Sequence, residues 1–210
     1  MKIPRERVLY VLLICALLAL APACSDMESG DGAGEEAAAA SGGEAAGPTA
    51  APAAAGDLGG TMNAVGLLVE LPEGWVQQPP ESQMRVGQAV VPGSEGEGQL
   101  VVFHFGPGGG GGVDANLQRW VSQVTNADEP TRGAFDAGDL KVTWVDARGT
   151  LARSTIGSFP PMDMPGWGLV GAVVEGPGGP WFFKMVAPDA TIEEQRERFF
   201  DMLRASSVSE

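Results

Sequence analysis

The chain has 210 residues, with 27 acidic against 13 basic side chains and a formal net charge of −14. That balance argues against nucleic acid as a partner, because neutralising phosphates takes clustered Lys and Arg. One histidine and two cysteines remove most metal-site and catalytic-triad chemistry in advance. Gly (31) and Pro (16) are frequent enough to expect low complexity somewhere, while 44% hydrophobic residues leave material for a core elsewhere.

Lys2, Arg5 and Arg7 form a basic start, and Val8–Ala23 follows as 16 residues without a charge. A helix crossing the hydrocarbon core needs about 20 apolar residues, so this run suits the apolar region of an export signal better. Ala21-Pro22-Ala23-Cys24 then places small residues just before a cysteine. This stretch resembles the bacterial lipobox, whose cysteine becomes the first mature residue and carries the lipid. Ala21 stands where that motif prefers Leu, and Leu20 lies one position earlier. The resemblance implies a signal peptide over 1–23, lipid attachment at Cys24, and a place in the bacterial cell envelope, held to a membrane and facing away from the cytoplasm. Two alternatives stay open: ordinary cleavage at the Ala-x-Ala site with release, and an uncleaved anchor. Cys15 falls inside the removed peptide, so Cys24 is the single mature cysteine and no intramolecular disulfide can form. Acylation gives that lone cysteine a use. Acyl chains contribute about 0.8 kcal/mol per buried CH₂, and one chain alone anchors only marginally; the pathway implied by the resemblance adds two or three.

Residues 24–58 read as a disordered acidic tether. Over 25–57, Ala, Gly and Pro fill 21 of 33 positions, and seven acids stand without a base. Such a segment cannot bury enough apolar surface to offset chain entropy. As a flexible coil it spans roughly 30 Å.

From 59 to 210 the pattern changes to one folded domain. Strands are expected at 65–71, 84–91 and 100–105, then as hairpins at 131–135 with 140–145 and at 168–175 with 181–186, from β-branched and aromatic content between turn residues. Helices are expected at 113–124 and 192–206. The first buries Val113, Leu117, Trp120, Val121 and Val124 at helical spacing. The second buries Ile192, Phe199, Phe200 and Leu203, with Thr191 and Glu194 at capping-box spacing and Glu194–Arg198 as an i,i+4 pair. Strands joined by tight turns give a largely antiparallel sheet of about six to seven strands covered by two amphipathic helices, an α+β fold.

The pieces LPEGW (71–75), VVFHFGPGGGGGVDANLQRWVSQ (101–123), GWGLVGAVVEGPGGPWFFKMVAPD (166–189) and the terminal LRASSV resemble exported bacterial proteins of unknown function with the PsbP/Mog1-like α/β/α sandwich. The resemblance implies that layering over most of 65–208. Its motifs are structural and carry no activity with them.

The candidate chemistry is sparse. The run Gly106 to Gly112 joins a strand to a helix, where a phosphate cradle would sit. No Gly-Lys-Ser/Thr follows, however, and Asp114 would repel an anion, so the run reads as a loop. His104, the single imidazole, shares a face with Leu100 and Val102 and reads as a half-buried sheet histidine, with a ligand or general-base role as its alternative. Asn116 flanks the apolar stripe of its helix and can bond the neighbouring loop backbone; Trp120 reads as core, with a ligand platform as the alternative. The segment 160–167, carrying Met162, Met164 and Trp167, is the most exposed-looking apolar stretch and is a candidate partner loop. Ser154, Thr155 and Ser158 lack a histidine at any recognisable spacing. No catalytic residue, metal or cofactor is expected. The expected function is a non-catalytic binding or assembly module that meets a membrane through Cys24 and another envelope protein through its surface. The alternatives are a small-molecule binder and, behind it, an enzyme using Asp/Glu chemistry.

Overall fold

The computed structural model describes residues 59–153 and 162–209, all within the unit Ala50–Glu210. The signal peptide, Cys24 and the tether lie outside the described residues, as do Ser154, Thr155, Ser158, Pro160 and Pro161.

In chain order the elements are β1 (Thr61–Ala64), β2 (Leu67–Glu70), β3 (Val76–Gln77), β4 (Arg85–Val91), β5 (Gly98–His104), α1 (Val113–Val121), β6 (Val124–Thr125), β7 (Thr131–Ala137), β8 (Leu140–Leu151), β9 (Met164–Glu175), β10 (Trp181–Pro188), α2 (Asp189–Arg204) and β11 (Ser207–Val208). The fold is α+β, with two helices and antiparallel ladders. The strands exceed expectation: β3-β4-β5-β10-β9-β8-β6 form one sheet, with β7 also on β8 for eight strands, and β1-β2-β11 form a second sheet of three.

Alternation along the central strands sends side chains to two different cores. Val170, Ala172 and Val174 of β9 and Phe183 and Met185 of β10 meet Ile192, Phe199 and Leu203 of α2, with Met62, Leu67 and Val69 of the small sheet. Leu169 and Val173 of β9 and Phe182 and Val186 of β10 meet Leu117 and Trp120 of α1. The central strands are therefore buried on both faces, which is why they read as near-continuous apolar runs. Two indoles fasten the α2 side. Trp75, fully buried, donates to Gln195 Oε1 at 2.9 Å, and Trp181 donates to the Ala64 carbonyl at 2.6 Å.

Several expected elements differ, each for a local reason. The strand expected over 65–71 is a hairpin. Val65 (φ 53°) and Gly66 (φ 84°) turn the chain, and the Gly66 amide donates to Asn63 Oδ1 at 2.9 Å. The helix expected over 113–124 stops at Val121, because Val124 pairs with Leu151 as strand. The second helix starts at Asp189, ahead of the expected capping box, which does not form. Thr191 lies inside the helix and donates to the Gly96 carbonyl, while Glu194 accepts from the amide and hydroxyl of Ser94. Arg198 donates to the Glu73 carbonyl at 2.7 Å, and its second contact is Gln195 rather than Glu194. Strands β8 and β9 run longer than expected, to Leu151 and from Met164.

Close packing of α1 depends on Gly171. A Cβ built there meets Trp120 Cε3 at 2.3 Å, and the indole is held between helix and sheet. Overpacking of this kind costs about 1–3 kcal/mol. Gly171→Ala is accordingly expected to lower the urea midpoint with an unchanged denaturant slope; an unchanged midpoint would mean that α1 is free to shift.

Candidate functional site

The residues singled out from sequence do not converge. His104 ends β5 opposite Trp181, and their rings stack at 5.0 Å with an interplanar angle of 20°. Its Nδ1 lies 3.1 Å from the Pro180 carbonyl. A carbonyl only accepts, so Nδ1 carries the proton. The imidazole is half-buried and serves the strand end, as expected. Asn116 is buried and donates to the carbonyls of Gly110 and Gly112, both at 2.9 Å, and it accepts from Arg119 at 2.6 Å. Trp120 is core.

Met162 is exposed, whereas Met164 and Trp167 pack against the α1-side core. The partner loop expected over 160–167 is corrected from Met164 onward: Met164 pairs with Leu151 and Trp167 with Gly149 and Pro188, so this stretch is strand. Along β10, His104 sits opposite Trp181 and Trp167 opposite Pro188. At about 3.4 Å per residue the two candidate regions are roughly 24 Å apart, at opposite ends of the sheet.

Two polar clusters that sequence reasoning missed sit on the sheet itself, one on each face. On the α2 face, Asp146 of β8 is 6% exposed. Arg148 binds both its carboxylate oxygens at 3.1 Å, and the Arg196 guanidinium of α2 lies 3.2 Å from Oδ2. Arg148 also reaches Glu193 at 3.0 Å, and Arg196 lies over the Trp144 and Phe200 rings. A cavity of about 290 Å³ opens beside them, lined also by Asp128, Glu129 and Thr131. Burial pushes the nearby Asp189 carboxyl up from its ordinary value, against the pull of Arg148.

On the α1 face, Lys184 interrupts the apolar run of β10. Its ammonium donates to Gln123 Oε1 at 2.5 Å. Lys184 and Gln88 both register against Val101, one from each side. Gln88 is fully buried; its Oε1 accepts from Arg85 at 2.7 Å and from the Glu81 amide at 3.1 Å, while its Nε2 has no partner among the described residues. Burial pushes the Lys184 ammonium down to about 8, with Arg119 and Arg85 adding to the effect. A lysine inside the sequence Phe182-Phe183-Lys184-Met185-Val186 was a legible signal; the partners across the sheet needed the register.

Among the described residues no helix is long and apolar enough to cross a membrane, and no three His, Cys, Asp or Glu side chains are grouped to hold a metal ion. Neither the protein-family models nor the curated proteins contain a match to this chain.

Asp146→Ala leaves two guanidinium groups without their shared carboxylate. Both arginines are about a quarter exposed, so the loss is expected at about 1–3 kcal/mol in urea unfolding, below that for a fully buried pair. Lys184→Met is expected to act the other way. The native ammonium has its pKa near 8 against an ordinary 10.5, so folding favours the neutral form. The penalty is complete below pH 8 and fades as pH rises from 8 to 10.5. The variant should therefore be more stable at pH 7, by on the order of 3 kcal/mol at most, with the gain shrinking toward pH 10.5. A gain independent of pH would show that Lys184 titrates normally.

Proposed function

We propose that this protein is a lipid-anchored module of the bacterial cell envelope, cleaved before Cys24, which displays an α+β binding domain at the end of a flexible acidic tether. The observation that carries the reading is the order of residues 1–24: three basic residues, an uncharged run too short to span well, and Ala21-Pro22-Ala23 directly before the only cysteine downstream of that run. The layering supports a PsbP/Mog1-like domain, with one helix against each face of an antiparallel sheet. Binding rather than catalysis is favoured by how the candidate side chains are used. The His104 ring is committed to Trp181 and Pro180, and Asn116 to the glycine loop. The charged cavity beside Asp146 is the surface that suits a polar envelope partner.

A second reading, a small-molecule binder, is favoured by the polar row of buried Gln88 and half-buried Lys184 on the α1 face.

The anchor is tested by expressing the full chain and its Cys24→Ser variant in a bacterial host and following membrane fractionation and the mass of the N-terminal peptide. The wild type is expected in the membrane fraction with an acylated Cys24, and the variant without the lipid mass. An unmodified Cys24 in a mature, soluble wild type would overturn the anchor and leave simple secretion.

A further inference from the structure

We propose that the α1 face of the sheet carries a binding site for a small-molecule oxyanion, a carboxylate or a phosphate, held by Lys184, the Nε2 of Gln88 and the Arg85 guanidinium, with Val101 as its floor. The proposal deepens the small-molecule reading and is independent of the lipid anchor.

The geometry comes from strand register. Directly opposed residues on neighbouring strands point to one face. Gln88, Val101 and Lys184 form one such row across β4, β5 and β10. Arg85, Phe103 and Phe182 form the adjacent row. Phe103 and Phe182 pack toward α1, which fixes the face of all six. Neighbouring strands are about 4.8 Å apart, so Gln88 and Lys184 stand roughly 10 Å apart across Val101, a width that two long side chains close around one oxyanion.

The chemistry of this row is unusual for a protein with a net charge of −14. Lys184 has only an amide oxygen as its hydrogen-bond partner and forms no ion pair among the described residues. Arg119 on α1 and Arg85 on β4 both add positive charge at Lys184. Among the described residues Glu81 is the one carboxylate paired with this group; it holds Arg85 at 3.0 Å and its side chain is 61% exposed. The decisive observation is Gln88, which is 0% exposed and has a donor, Nε2, with no acceptor among the described residues. A buried N–H left unpaired is costly, and so is a largely desolvated ammonium without a carboxylate. Gln88 Oε1 is engaged by Arg85 and the Glu81 amide, and neither of those contacts uses Nε2. An oxyanion satisfies both at once, accepting from Nε2 and from the ammonium. Phe103, half-buried beside Arg85 and stacked on Phe105, supplies an apolar wall for the body of an organic acid.

The test uses the full-length chain in non-ionic detergent at pH 7, with inorganic phosphate and benzoate as probes against chloride at equal ionic strength. Either probe is expected to raise Tm by about 2–4 °C when saturating. The increment should be lost in Lys184→Met and reduced at least by half in Gln88→Leu, and retained in Arg204→Gln. Response to benzoate alone assigns a carboxylate ligand, and response to phosphate alone a phosphate. A second readout needs no variant. The Lys184 ε-carbon titration followed by NMR should move upward by at least one pH unit with the bound anion. No increment from either probe, an increment equal in all variants, or a Lys184 titration that both anions leave unmoved would overturn the proposal.

Discussion

The pairing of β9 with β10, buried on both faces, is the constraint on which the rest of this domain depends. Eight residue pairs join these strands, from Trp181 with Val174 to Pro188 with Trp167. Their alternate side chains enter two separate cores, one under α2 and the three-stranded sheet, the other under α1. A sheet enclosed in this way leaves no solvent face on which polar residues are harmless. Space is equally restricted. Trp120 sits on Gly171, and a Cβ at Gly168 would press against the Ala147 carbonyl and within 3.2 Å of Ile192. Helices approach the sheet this closely only where a side chain is missing.

Inside that enclosure the two faces treat charge in opposite ways. Asp146 meets a bidentate arginine and a second guanidinium, and these come from β8 and α2, so the cluster ties helix to sheet. Opposite charges face one another there, although Arg196 Nε has no hydrogen-bond partner among the described residues. Lys184 donates to a glutamine oxygen and feels the positive charge of Arg119 and Arg85. Well-packed apolar residues commonly replace buried ionic groups at no loss of stability, so folding gives no reason for a lysine there. The contrast is between a carboxylate enclosed by two cations and an ammonium with no carboxylate opposite it among the described residues.

What was legible in the sequence follows the same physics. The long central strands and the stripes of both helices were readable because burial imposes a period on many residues at once. Two-residue strands such as Val76–Gln77 and Ser207–Val208 carry no period of their own and exist through their partners. Val65 was misread because a β-branched residue favours strand, yet here it takes a positive φ in a turn that Asn63 and Gly66 complete. Thr191 and Glu194 have the spacing of a capping box, but tertiary contacts to Gly96 and Ser94 claim both side chains. Arg85, Gln88 and Lys184 lie up to a hundred positions apart in the chain, and only strand register brings them onto one face. Met164 to Trp167 looked exposed because proline and glycine interrupt it; pairing with β8 absorbs the interruption through a register shift at Gly149/Thr150.

The glycine run between β5 and α1 shows why local pattern and function part company here. A phosphate cradle needs backbone amides directed at the ligand. In this loop two carbonyls, those of Gly110 and Gly112, are turned onto the Asn116 amide, and Arg119 holds Asn116 from its other side. Gly110 itself is set at φ 78° with the Phe182 ring 2.3 Å from where a Cβ would stand. The loop is therefore fixed by packing against β10 and by one buried asparagine. Its work is to set the start of α1, which carries Trp120 onto Gly171 and Arg119 toward Lys184. The glycines matter to the α1 face through the position they give that helix, and the chemistry lies with the side chains opposite it.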